Sequence, residues 1–297
     1  MTRIVVLLAA LLAAAAAVQG SQATFTASRT NATSSFASAA HFAPHVTLTA
    51  PTAGSTTGPT PTLSGTADSA AGDGTTITVK IYSGSTATGT AVQTLTPTRT
   101  GTTWTTTAAA LTSGTYTAQA TQTDSAPSTG TSAPVTFTVD ATKPTAVSVV
   151  AANKAGGTAG KIQSGDTLTF TYSEPITAAS VWSGWNGAST SVNVRFTDGG
   201  TADTVTVLTA TTGTVNLGSV ATNGNYVNAN TTFASTMVRS ADGASIVVTL
   251  GTPANVQATA VTAKNMTWTV GAGITDVVGN AIATPASFTE SVSTVDF

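Results

Sequence analysis

The feature that most limits what this chain can fold into is a two-residue alternation between threonine and branched or aromatic apolar residues. Ile77, Val79 and Ile81 interleave with Thr76, Thr78 and Lys80, and the same beat returns at Leu168, Phe170 and Tyr172 and again at Ile246, Val248 and Leu250. Successive side chains of a strand point to opposite faces, so each such segment reads as a strand with one apolar and one hydroxyl-bearing face. Threonine is β-branched and fits a pleated surface better than a helix. It is the commonest residue of the 297, and its hydroxyls take over the solvent-facing role that charge usually fills. Only 7% of the residues are charged, against roughly a quarter in an average soluble protein. The expected fold class is therefore all-β. With Lys+Arg 10 against Asp+Glu 12 there is no basic surface, which excludes sequence-independent attraction to nucleic acid. Two histidines and no cysteine leave little material for acid–base, thiol or metal chemistry.

The N-terminus bears on location. Arg3 precedes an uninterrupted apolar run at 4–18, shorter than the roughly 18–20 residues of a membrane-spanning helix. Small residues follow it, so 1–23 reads as a secretory signal peptide and the mature chain as secreted or cell-surface material with no stable membrane span. The lack of disulfides is compatible with export, because roughly 270 residues can bury enough apolar surface without them. Residues 24–45 carry Phe25, Phe36 and Phe42 in a Ser/Ala/Thr background and read as a low-complexity, flexible tether. An alternative reading makes 24–42 a strand added to a neighbouring subunit, and the chain a matrix fibre subunit.

Beyond the tether, two β regions are expected. In 46–140 strands fit at 75–81, 91–95, 102–107, 115–123 and 135–139, with turn signals every 8–12 residues, which is the sandwich pattern. Leu111-Thr112-Ser113-Gly114-Thr115-Tyr116 reads as a tyrosine corner, and Trp104 as the largest core residue. Gly101-Thr102-Thr103-Trp104, that corner, and Thr136-Phe137-Thr138-Val139-Asp140 together resemble the bacterial Ig-like repeats of surface adhesins. Asp140-Ala141-Thr142-Lys143-Pro144-Thr145 resembles the short link between such repeats, and Pro144 interrupts any continuing ladder, so 141–145 is taken as a linker. In 146–297, the stretch from Gly165-Asp166-Thr167-Leu168-Thr169-Phe170 to Ser173-Glu174-Pro175, and the late Asp276-Val277-Val278-Gly279-Asn280 turn, resemble the SbsA-type Ig-like domain of bacterial surface proteins. Residues 176–240 are left without strand assignments. The resemblances imply two tandem Ig-like β-sandwich domains after a signal peptide and a flexible tether. They further imply a secreted or surface-associated, non-catalytic, structural or adhesion-like role, with cell-surface or matrix components as partners.

Few side chains compete as sites. Trp182, Trp185 and Asn186 lie among glycines and could stack on and bond a sugar ring, which makes glycans a candidate partner; filling the core is the competing role. Calcium is the one cofactor considered, and otherwise none is expected. Its candidate ligands are Asp140 at the linker, and Asp198, Asp203 and Asp276, although Asp before Gly is a turn former first. Glu174 and Glu290, the only glutamates, are not brought together by any pattern, so no glycosidase pair is expected. His41 and His45 flank Pro44 and read as tether residues. Gly156-Gly157-Thr158-Ala159-Gly160-Lys161 superficially resembles a phosphate loop. Ala155 stands where its first glycine belongs and Ile162 where its Ser or Thr belongs, so it reads as a glycine-rich hairpin loop.

Overall fold

In the computed structural model the described residues are 42–297, except 212, 255–258, 285 and 294. The stretch read as a signal peptide, His41 and almost all of the expected tether therefore lie outside the described residues. Pro44 and His45, assigned to the tether, already belong to the first module: Pro44 is buried, and His45 accepts the Asp68 N–H on its carbonyl at 3.0 Å and donates its own N–H to the Asp68 carboxylate at 2.7 Å.

The first module is a sandwich. One sheet joins β1 (Thr56–Thr57), β8 (Val135–Val139), β6 (Gly114–Asp124), β3 (Asp73–Ser83) and β4 (Gln93–Leu95) in that order, with β7 (Thr129–Thr131) also on β6. Against it lies the pair β2 (Thr62–Thr66) and β5 (Thr103–Thr107), extended by bridges from Val46 and Ala50. Between the layers sit Leu63, Ile77, Val79, Ile81, Trp104 and Phe137, each at most 3% exposed. The expected corner is formed: Tyr116 donates its hydroxyl proton to the Thr112 carbonyl at 3.1 Å. The Pro/Gly/Thr-rich stretch at 51–60 contains a strand, for β1 runs parallel to β8.

Threonines form cross-strand ladders on the outer faces. In the β2–β5 pair Thr62 stands opposite Thr107, Ser64 opposite Thr105 and Thr66 opposite Thr103. Hydroxyl pairs such as Thr47–Thr66 at 2.7 Å and Thr117–Thr136 at 2.9 Å tie neighbouring strands together. Such pairs stabilise a sheet by a few tenths of a kcal/mol to ~1 kcal/mol each, and they need no charge.

The second module is a single antiparallel sheet of nine strands among the described residues. Its order is β17 (Ser287–Thr289), β16 (Thr267–Thr269), β13 (Thr214–Ala221), β12 (Thr204–Thr209), β11 (Thr190–Thr197), β14 (Thr231–Arg239), β15 (Ser245–Pro253), β10 (Thr167–Tyr172) and β9 (Ala146–Ala152). The sheet curls until β17 lies beside β9. Register breaks at Thr171/Tyr172, Thr206/Leu208 and Ala234/Thr236 supply the bends, since a bulge kinks its strand and increases local twist. Trp268 is the centre of the enclosed core: Phe170 and Tyr172 meet it edge-on with centroids 5.1 Å away, and its indole N–H reaches the Leu217 carbonyl at 2.7 Å. A second aromatic group joins Phe196, Phe233, Tyr226 and Phe297. The unassigned 176–240 region thus contains four strands and the short helix α1 (Ala178–Val181). Among the described residues no helix is long and apolar enough to cross a membrane.

Candidate functional site

Three carboxylates gather where the first module hands over to the second. Asp140 follows β8, and its Oδ1 accepts the Thr142 N–H at 2.9 Å, which bends the linker. Glu174 follows β10, where Pro175 ends the ladder. Asp276 opens the late turn and is 1% exposed. Its Oδ1 accepts the N–H groups of Val278 and Asn280, and its Oδ2 accepts an amide proton of Asn280 at 2.7 Å. That same Asn280 amide donates to the Asp140 carbonyl at 2.9 Å, so one side chain bonds both modules.

Carboxyl oxygens of Asp140, Glu174 and Asp276 all lie within 4.8 Å of one another. Burial raises the Glu174 pKa, and the charges of Asp140 and Asp276 raise it further. Its Oε1 is buried with no hydrogen-bond partner. The donor set is all carboxylate, which suits a hard divalent cation; calcium takes six to eight oxygens, so carbonyls or water would have to complete the shell. Sequence reading placed only Asp140 at this junction; it set Asp276 with Asp198 and Asp203 and gave Glu174 no ligand role, and the three come from segments far apart in the chain.

The other acidic candidates lie elsewhere. Asp203 is buried, with Oδ2 accepting from Tyr226 at 2.6 Å and Val227 at 2.8 Å and Oδ1 from Gly199 at 3.2 Å. Asp198 accepts the Gly200 N–H at 2.8 Å, as a turn former does. Both are occupied with local backbone, and the structure groups Asp276 with Asp140 and Glu174, not with them. Glu290 accepts the Met266 N–H at 2.6 Å.

The Trp182–Trp185 segment follows α1 and borders a cavity of about 320 Å³. Trp185 is only 7% exposed and donates its indole N–H to Ala188 O at 2.7 Å, so it is a core residue. The Asn186 side-chain oxygen accepts from Ala188 N. Trp182 is half-buried against the core, so of the two rings it is the more exposed.

A model of the bacterial Ig-like domain matches residues 47–141. No curated protein matches the chain. Among solved structures it is similar to the fibronectin(III)-like modules of Clostridium thermocellum CbhA, at 17% identity over 70% of this chain and 90% of that one, with a TM-score of 0.26. The C-terminal domain of the Streptococcus pyogenes antigen I/II-family protein AspA is 12% identical over 83% and 98%, with a TM-score of 0.27. The tetra-tandem repeat in the extending region of a large adhesion protein is 15% identical over 86% and 66%, with a TM-score of 0.25. The Ig-like sandwich assignment rests on the first module's strand order and its matched segment.

Proposed function

We propose that this chain is an exported, non-catalytic structural protein of the bacterial cell surface, in which two β modules are held at a fixed mutual geometry as a spacer. The observation that carries this reading is the junction itself. Asn280 bonds the Asp140 carbonyl, Ala283 N–H bonds the Pro144 carbonyl at 2.9 Å, and Thr145 and Ser173 bond each other twice. A chain meant to flex between its modules would leave that linker solvated. The apolar run at 4–18 supports export, and the charge-free threonine ladders suit a protein whose contacts are short-range. Non-catalytic is supported by the way its acidic side chains are used: Asp166, Asp203, Asp276 and Glu290 accept backbone N–H groups that hold turns and strands.

Fractionation of producing cells into cytosol, membrane, wall and medium tests the location, with the chain expected in the wall or the medium and trimmed at its N-terminus. Recovery of the untrimmed chain in the cytosol would overturn the reading.

A further inference from the structure

A cavity of about 400 Å³ opens beside Phe233 and Pro253, the residues that pair β14 with β15. Lys154, Lys161, Gln163 and Ser164 line it, with Pro253 as its accessible apolar side. Its volume is that of a pocket for a small organic group, not a bare ion. Two lysines in one cavity is a local concentration in a chain with Lys+Arg 10 in all and a net charge of −2.

The loop that carries them is built, not loose. Asp166, fully buried, accepts the N–H of Lys154 at 3.0 Å and of Gln163 at 2.6 Å, so one carboxylate ties both arms together. Gly160 is held from two sides: its N–H goes to the Phe297 carbonyl, and its own carbonyl accepts Val261 N–H at 2.9 Å. A Cβ at Gly160 would lie 2.3 Å from the Val261 carbonyl, at φ +78, so only glycine fits. The glycine-rich stretch is therefore a fixed bracket that sets where Lys161 enters the cavity. Gln163 gives its side-chain carbonyl to Thr158 N–H at 2.8 Å, which leaves its amide protons for a ligand.

The same bonds decide which anion fits. A phosphate loop cradles its ligand with free backbone N–H groups. Here the N–H groups of Gly157, Thr158, Gly160 and Lys161 are all used within the protein. Among the described lining residues that leaves two lysines, an amide and a hydroxyl beside Pro253, the Phe233 ring being turned into the core. That set matches a hydroxylated ring with one carboxylate and an apolar C–H face. We infer that this cavity binds a hexuronate unit of an acidic polysaccharide, with Lys154 and Lys161 on the carboxylate, Gln163 and Ser164 on ring hydroxyls, and Pro253 against the C–H face.

The test is calorimetric titration of the mature chain at low salt with oligogalacturonate, with a neutral galactose oligomer and with polyphosphate. Binding is expected for the uronate alone. Lys154→Gln/Lys161→Gln should weaken it about tenfold or more, the loss of one to two charge-assisted bonds, with an unchanged melting temperature. Lys154→Arg/Lys161→Arg should retain most of it. No uronate binding, equal binding by the glutamine variant, or equal binding of polyphosphate would each overturn the assignment. These outcomes do not depend on where the chain resides, so the spacer reading stands or falls separately.

Discussion

Glu174 shows how one side chain couples the junction to pH. Its folded-state pKa is raised by burial and by Asp140 and Asp276, so the native state keeps that proton to higher pH than the unfolded chain does. Native proton excess means that stability falls as pH rises through the window above the ordinary glutamate value of about 4.3. Glu174→Gln removes the titration and the repulsion at once. Its melting temperature at pH 7 in chelator should exceed wild type by about 1–2 °C, a fraction of a kcal/mol in a chain this long, because the partly exposed group is screened by water. The two proteins should melt alike near pH 4. A variant that melts lower than wild type at pH 7 would show that the glutamate charge is stabilised there. Gln122 shows a different use of a polar residue in the first module. At 1% exposure its amide nitrogen donates to the Asp68 and Gly74 carbonyls at 2.8 Å and its amide oxygen accepts from Asp68 N at 3.1 Å, so both polar atoms of its side chain have partners.

At the scale of elements, β14 and β15 explain why alternation alone could not give the second module. Their register breaks at Ala234/Thr236, opposite Gly251, where an added Cβ would lie 1.6 Å from the Ala234 carbonyl. Gly251→Ala must push the strands apart at a bend of the curled sheet. The expected cost is about 2–3 kcal/mol or more, read from denaturant unfolding; a loss under about 0.5 kcal/mol would mean that the bend is not set there. Strands such as 75–81 and 135–139 are legible because their period-two pattern is bracketed by turn residues. The apolar alternation at Val192, Val194 and Phe196 is equally regular, yet its partners β12 and β14 are themselves bulged against β13 and β15, and aromatic contacts such as Phe196–Phe297 join residues that no local window contains. The site divides the same way. Asp140 and Asp276 stand out as acidic residues at a linker and a turn, but their meeting with Glu174 depends on how the curled sheet returns its last turn to the linker. Trp185 could not be told from an exposed ring because a tryptophan among glycines suits a loop and a core wall alike.

For the molecule as a whole, the question is whether two modules joined by so short a link move as one body. The link is held by few bonds, and Asn280 carries the most connected of them. Its amide reaches Asp276 in its own module and the Asp140 carbonyl in the other, while the Val278 carbonyl lies near Gly58 of the first module. Asn280→Ala leaves the buried Asp276 Oδ2 without that amide, at a cost of about 1–3 kcal/mol, and cuts the side-chain bond between modules. The cysteine-free sequence makes the consequence measurable, since Thr105→Cys and Ser191→Cys place one spin label on an exposed site of each module. The distance distribution between the labels should be narrow in the otherwise native chain and broader when Asn280→Ala is added. High salt should leave both distributions unchanged, because the Asn280 contacts join an amide to a carbonyl and a buried carboxylate, not two exposed charges that salt could screen. If Asn280→Ala leaves the distribution narrow, the modules are held by the linker's backbone bonds and the Gly58–Val278 contact, and rigidity then belongs to the chain path and not to the asparagine.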